Sequence, residues 1–126
     1  MSRKLLLDAF FNQFSNFLNE LIQVFPSDTD FPAFKTALVL LQKTNPMLVV
    51  SQVTKHTEAY ADMIASKNED FFMQHDYSEH IDGDDAIEQV IQKLKGLWGS
   101  LTVNNKKVVW DYVRVIRDLA IRCSAQ

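Results

Sequence analysis

Apolar side chains recur at three- and four-residue spacing along most of the chain, and this period predicts helices rather than strands. The first predicted helix runs from Leu7 to Phe25, and Pro26 stops it. A polar turn leads into a second helix, which ends before Pro46. Proline is favoured at a first helical position, so a third helix is predicted to begin at Pro46 and to reach about Ser66.

The second half of the chain resumes this pattern after an interruption. A short helix is predicted at 69–73, and periodicity is then lost over the polar residues 74–85. A fifth helix follows, with Asp84 or Asp85 as its N-cap, and Thr102 is predicted to cap the last helix.

Length and composition favour one helical domain. A chain of 126 residues fits a single domain, and three glycines and three prolines are too few for a turn-rich all-β fold. One cysteine cannot form an internal disulfide, and no apolar run approaches the roughly 20 residues that span a bilayer. We therefore expect an all-α, single-domain bundle of five longer helices plus one short helix over residues 1–126, located in the cytoplasm.

Charge is distributed unevenly, although the net charge is only −3. Residues 68–88 hold eight acidic and no basic side chains, whereas 89–126 hold seven basic and two acidic ones. Solvated helix faces are the ordinary interpretation. The alternative is a nucleic-acid-associated factor that uses the basic C-terminal helices, although a pI near 5.5 opposes non-specific phosphate binding. The candidate footprint is Lys93, Lys95, Lys106, Lys107, Arg114, Arg117 and Arg122.

Side chains that can bind metals are concentrated in the segment His75–Asp85. Its spacing matches neither HExxH nor a calcium loop, so a solvated acidic loop is the default. Metal binding through this segment is a further alternative, because Asp76 and His80 would share a face if the segment were helical. His56, among apolar neighbours, is expected to be a buried core histidine rather than a ligand.

Signatures of catalysis are missing from the sequence. There is no glycine-rich phosphate loop and no GxSxG elbow, and Cys123 lies on an apolar helix face that is typical of a core residue. The sequence therefore predicts no catalytic residue, no cofactor and no enzyme activity.

Aromatic residues are concentrated in the first 34 positions. One seam suffices for a core and comprises Phe10, Phe14, Phe17 and Leu21. Phe11 and Leu18 widen the apolar sector, which indicates either a helix buried on nearly all sides or a second face that meets another subunit or a partner. Trp98 and Trp110 raise the same question, since tryptophan is enriched at interfaces.

We therefore predict a non-enzymatic interaction or structural protein with a protein partner or self-association. The predicted contact surface comprises Phe11, Leu18, Trp98 and Trp110, with an acidic docking segment of Asp82, Asp84 and Asp85.

Several short segments resemble small helical proteins of large nucleocytoplasmic DNA viruses of algae and protists. They are Phe34-Lys35-Thr36-Ala37-Leu38, Thr44-Asn45-Pro46, Glu69-Asp70-Phe71-Phe72, Asp76-Tyr77 and Val109-Trp110-Asp111-Tyr112. The resemblance implies a virus-encoded protein made in host cytoplasm, either virion-associated or host-interacting. It supplies no catalytic residue.

Overall fold

The computed structural model describes residues 2–58, 60–61 and 85–125, and every regular element in these ranges is helical. The five α-helices are α1 (Arg3–Val24), α2 (Asp30–Thr44), α3 (Pro46–Glu58), α4 (Ala86–Leu97) and α5 (Val103–Ala125). A short 3₁₀ turn, Trp98–Ser100, joins α4 to α5. The all-α prediction is confirmed.

Local hydrogen bonds explain most of the helix starts. The Ser2 hydroxyl accepts the Leu5 N–H at 3.3 Å, which begins α1 one turn earlier than the apolar period indicates. Helix α3 begins at Pro46 as predicted. The predicted cap of α5 is also confirmed, because Thr102 Oγ1 accepts the Asn105 N–H at 3.0 Å.

Three predictions fall on residues that the structure does not describe. They are the extension of the third helix to Ser66, the short helix at 69–73 and the polar connection of 74–85, of which only Asp85 lies within the described residues.

Helix α1 packs against both α2 and α5, while α3 packs against α2, α4 and α5. Helices α1 and α5 run antiparallel, because Arg3 at the start of α1 is near Cys123 at the end of α5, while the Phe17 and Tyr112 rings further along lie 5.5 Å apart between their centroids. The predicted seam is confirmed, since Phe10, Phe14 and Leu21 are all buried. Edge-to-face contacts between neighbouring phenylalanine rings extend along α1 and add to the stabilisation from buried apolar area.

The predicted aromatic contact surface is wrong. Phe11 and Leu18 are only 2% and 1% exposed, because α1 has helices packed on two sides and its whole wide apolar sector is covered. Trp98 and Trp110 are also buried, and their rings pack edge to face with centroids 5.2 Å apart. All four residues belong to the core of the chain itself.

None of the helices in the described part of the chain is long and apolar enough to cross a membrane.

Candidate functional site

A buried histidine lies where the end of α3 meets the start of α4. His56 is in the last turn of α3, and its apolar neighbours along that helix include the core residue Val53. The prediction that His56 is a buried core histidine is confirmed by its 7% exposure. Its polar partner is Asp85, whose Oδ2 lies 2.5 Å from His56 Nε2.

Both carboxylate oxygens of Asp85 are engaged. Oδ1 accepts the backbone N–H of Glu88 at 3.0 Å and so caps α4, while Oδ2 contacts His56. Asp85 was one of two predicted N-caps, and the structure selects it. Its predicted role as an exposed docking charge is wrong, since the residue is 8% exposed and faces α3. The other two docking residues, Asp82 and Asp84, lie outside the described residues.

Glu88 completes the cluster and is 1% exposed. One ligand atom from each of His56, Asp85 and Glu88 lies within 4.8 Å of the other two. We call these three residues the polar junction. Glu88 was not among the predicted site residues, although its Asp-x-x-Glu spacing from Asp85 resembles a capping box and places it in the first turn of the helix.

An imidazole and two carboxylates can exchange protons, bind a cation or hold two helices together. All three side chains are less than one tenth exposed. The polar junction is therefore suited to a small ion or to helix docking rather than to turnover of a large substrate.

A second polar connection joins α3 to α5 one residue further along. Thr57 Oγ1 donates to the Val53 carbonyl at 2.6 Å and accepts from Arg117 Nη1 at 2.9 Å. Arg117 belongs to the predicted nucleic-acid footprint, but its guanidinium is directed at Thr57 and the side chain is half-buried.

Beside this connection lies an apolar cavity of ≈ 70 Å³ between α1, α3, α4 and α5. Among the described residues, Thr57 supplies the one hydroxyl of a lining that is otherwise made of aliphatic and phenylalanine side chains. Such a lining can accept a small apolar group, but the described residues offer no pair of polar groups to orient a reaction.

Other members of the predicted basic footprint are also engaged. Lys93 Nζ lies 2.7 Å from an Asp28 oxygen and 2.8 Å from an Asp30 oxygen, which ties α4 to the turn before α2. The hydrogen bond from Lys93 lowers the pKa of Asp28, and the bond to Asp28 is the main cause of the raised pKa of Lys93. Lys106 lies over the Trp98 ring, 5.7 Å from its centroid.

Cys123 is fully buried on α5, as the sequence predicted for a core residue. Burial raises the pKa of its thiol, and the charge of Arg3 offsets part of that rise. A neutral buried thiol is a poor nucleophile.

Comparison with known proteins gives one partial similarity. The chain is 28% identical over 67 residues to an uncharacterized FAD-dependent oxidoreductase of Methanocaldococcus jannaschii. The match covers 49% of this chain and 12% of that protein, so the chain spans only a small part of the relative's length. No protein-family model and no solved structure matches the chain.

Proposed function

We propose that the chain is a non-enzymatic helical protein that acts through protein contacts, and that it pairs with a second copy of itself through the outer face of α2. We define this outer face by residues on one side of the helix that are exposed: Pro32, Ala33, Thr36, Val39, Leu40 and Lys43. The buried side of α2 carries Phe31 and Leu38.

The exposed apolar residues of this face carry the proposal. Leu40 is 60% exposed and Val39 is 41% exposed, although the outward side of a surface helix is normally charged or polar. Lys43 is the one charged residue of the face. For comparison, the exposed residues of α5 include Val115 and Ile121, but these lie among the charged residues Arg114, Asp118 and Arg122.

The charge distribution of this face supports a second copy as the partner. Two copies of a nearly uncharged face do not repel each other, and an antiparallel arrangement of two α2 helices would put the two Lys43 residues at opposite ends. A helix of 15 residues is about 22 Å long, so the contact would fall below the roughly 1,200 Å² of a standard interface. We therefore expect a weak dimer that depends on concentration.

Light scattering or sedimentation over a range of concentrations tests this proposal. The mass of the wild-type chain should rise from 14.5 kDa towards twice that value as concentration increases. Leu40→Asp should hold the chain at the monomer mass, because it would bury an unpaired carboxylate in an apolar contact.

Leu5→Asp is the matched control, since Leu5 is 58% exposed on α1 and receives the same substitution. The control should associate like the wild type. A wild-type chain that stays monomeric at every concentration, or equal effects of the two substitutions, would overturn the proposal.

The nucleic-acid alternative receives less support from the geometry, because Lys93 and Arg117 make contacts within the chain. A location in host cytoplasm or in a virion is part of the same proposal and follows from the predicted resemblance to proteins of large DNA viruses.

A further inference from the structure

We propose that the polar junction is a binding site for a divalent transition-metal ion such as Zn²⁺, with His56, Asp85 and Glu88 as ligands. The site is independent of the outer face of α2 and is not assigned by the function proposed above.

The kinds of ligand fit this class of metal. Zn²⁺ binds imidazole nitrogen and carboxylate oxygen, and a site with three protein ligands leaves a fourth position for water or another group. The histidine distinguishes the site from an oxygen-only cage of the kind that Mg²⁺ or Ca²⁺ prefers.

The three ligand atoms lie within 4.8 Å of one another, which is near enough for one ion to contact all of them after a local rearrangement. Two ligands bonded to one Zn²⁺ at tetrahedral angles lie about 3.4 Å apart. In the polar junction the separations run from 2.5 Å, between His56 Nε2 and Asp85 Oδ2, to within 4.8 Å for the whole set. Binding of an ion therefore requires the 2.5 Å contact between His56 and Asp85 to open, so that both side chains turn towards the ion.

The surroundings orient one ligand. The Glu88 N–H holds Asp85 Oδ1, which leaves Oδ2 directed at His56 Nε2. Hydrogen bonds of this kind from the outer shell commonly fix carboxylate ligands. Because Asp85 begins α4 and Glu88 is in its first turn, formation of the helix also positions two of the three ligands.

Calorimetric titration with ZnCl₂ tests the site on the full chain, without a tag and after treatment with a chelator. We expect one Zn²⁺ per chain and a rise in melting temperature on binding, because an ion that binds only the folded state stabilises it. Glu88→Gln keeps the size of the side chain and should weaken Zn²⁺ binding by at least about tenfold.

Three comparisons make the result decisive. Glu58→Gln is the matched control, since it is the same substitution at an exposed position on α3, and it should bind like the wild type. His56→Gln removes the nitrogen ligand and provides a second test if Glu88→Gln fails to fold. The double variant His75→Ala/His80→Ala removes the histidines of the predicted alternative metal segment and should retain binding.

Absence of Zn²⁺ binding by the wild type would overturn the proposal. So would binding that survives both Glu88→Gln and His56→Gln but disappears in the double variant, because the ion would then belong to the segment before Asp85. Dimerisation through α2 should be unchanged in Glu88→Gln, which separates this test from that of the function proposed above.

Discussion

Two buried regions of this protein are built from opposite chemistry. The aromatic core along α1, with Phe10, Phe11 and Phe14, needs only to exclude water, so its stability grows with the apolar area covered. The polar junction is equally buried but contains charged and hydrogen-bonding groups, each of which requires a partner. The spacing of apolar residues along the sequence is enough to predict the aromatic core. The polar junction depends on contacts between individual atoms of different helices.

The largest expected loss of stability comes from truncating phenylalanine side chains in the core. Phe11→Ala should destabilise the protein by about 3–5 kcal/mol, as should Phe14→Ala, because both rings are buried and truncation leaves a cavity. Urea unfolding gives the comparison. A much smaller loss for Phe11→Ala than for Phe14→Ala would mean that Phe11 is a surface contact after all.

A smaller loss of stability is expected when the polar junction is altered. Asp85→Ala removes the cap of α4 and leaves His56 buried without this acceptor, so we expect a loss of about 2–3 kcal/mol. Asp85→Asn keeps an acceptor oxygen for the Glu88 N–H and should lose less. If Asp85→Asn were as stable as the wild type in urea unfolding, the carboxylate would not connect the two helices.

The third prediction concerns Cys123, a titratable thiol that is buried in the apolar core. The raised pKa of Cys123 means that the unfolded thiol ionises before the folded one. The stability from the buried neutral thiol is therefore complete below the unfolded pKa of about 8.5 and is lost as pH rises towards the folded value.

Urea unfolding of the wild type and of Cys123→Ala at about pH 8 and about pH 10 measures how much unfolding free energy each protein loses over this interval. The wild type should lose more stability than the variant over this interval. Equal losses would show that the thiol does not contribute.

The smallest effect concerns the ion pairs of Lys93 with Asp28 and Asp30, which are partly exposed to water. Lys93→Gln should destabilise the protein slightly at low salt, and the difference should vanish as NaCl is added. Since the pKa of Asp28 is lowered, its contribution is present above the unfolded pKa and is lost as pH falls through the folded value. A difference that persists at high salt would indicate a packing effect instead.

Apolar spacing was sufficient to predict much of the fold. Periodic residues identified the helices, and the chemistry of Pro46, Asp85 and Thr102 fixed three helix starts to within one residue. The pattern also showed the unusual width of the apolar sector on α1. It could not show what covers that sector. Phe11 and Leu18 were therefore predicted to contact a partner, whereas in the structure the chain's own helices cover them.

The polar junction was less accessible to sequence reasoning. His56 and Asp85 are separated by 29 positions, and only the packing of α3 on α4 brings their side chains together. The sequence showed His56 as buried and Asp85 as a cap, but neither observation alone indicates a contact between them. Glu88 was hidden for a different reason, because a charged residue beside an N-cap is usually exposed.

The Asp85 carboxylate makes two contacts, and these contacts link the opening of the start of α4 to the opening of the end of α3. One carboxylate both initiates α4 and contacts the imidazole at the end of α3. Fraying of the first turn of α4 therefore breaks the contact between Asp85 and His56 as well, which couples the two helix ends. Amide exchange at Glu88 and the ring signals of His56 should then report the same opening.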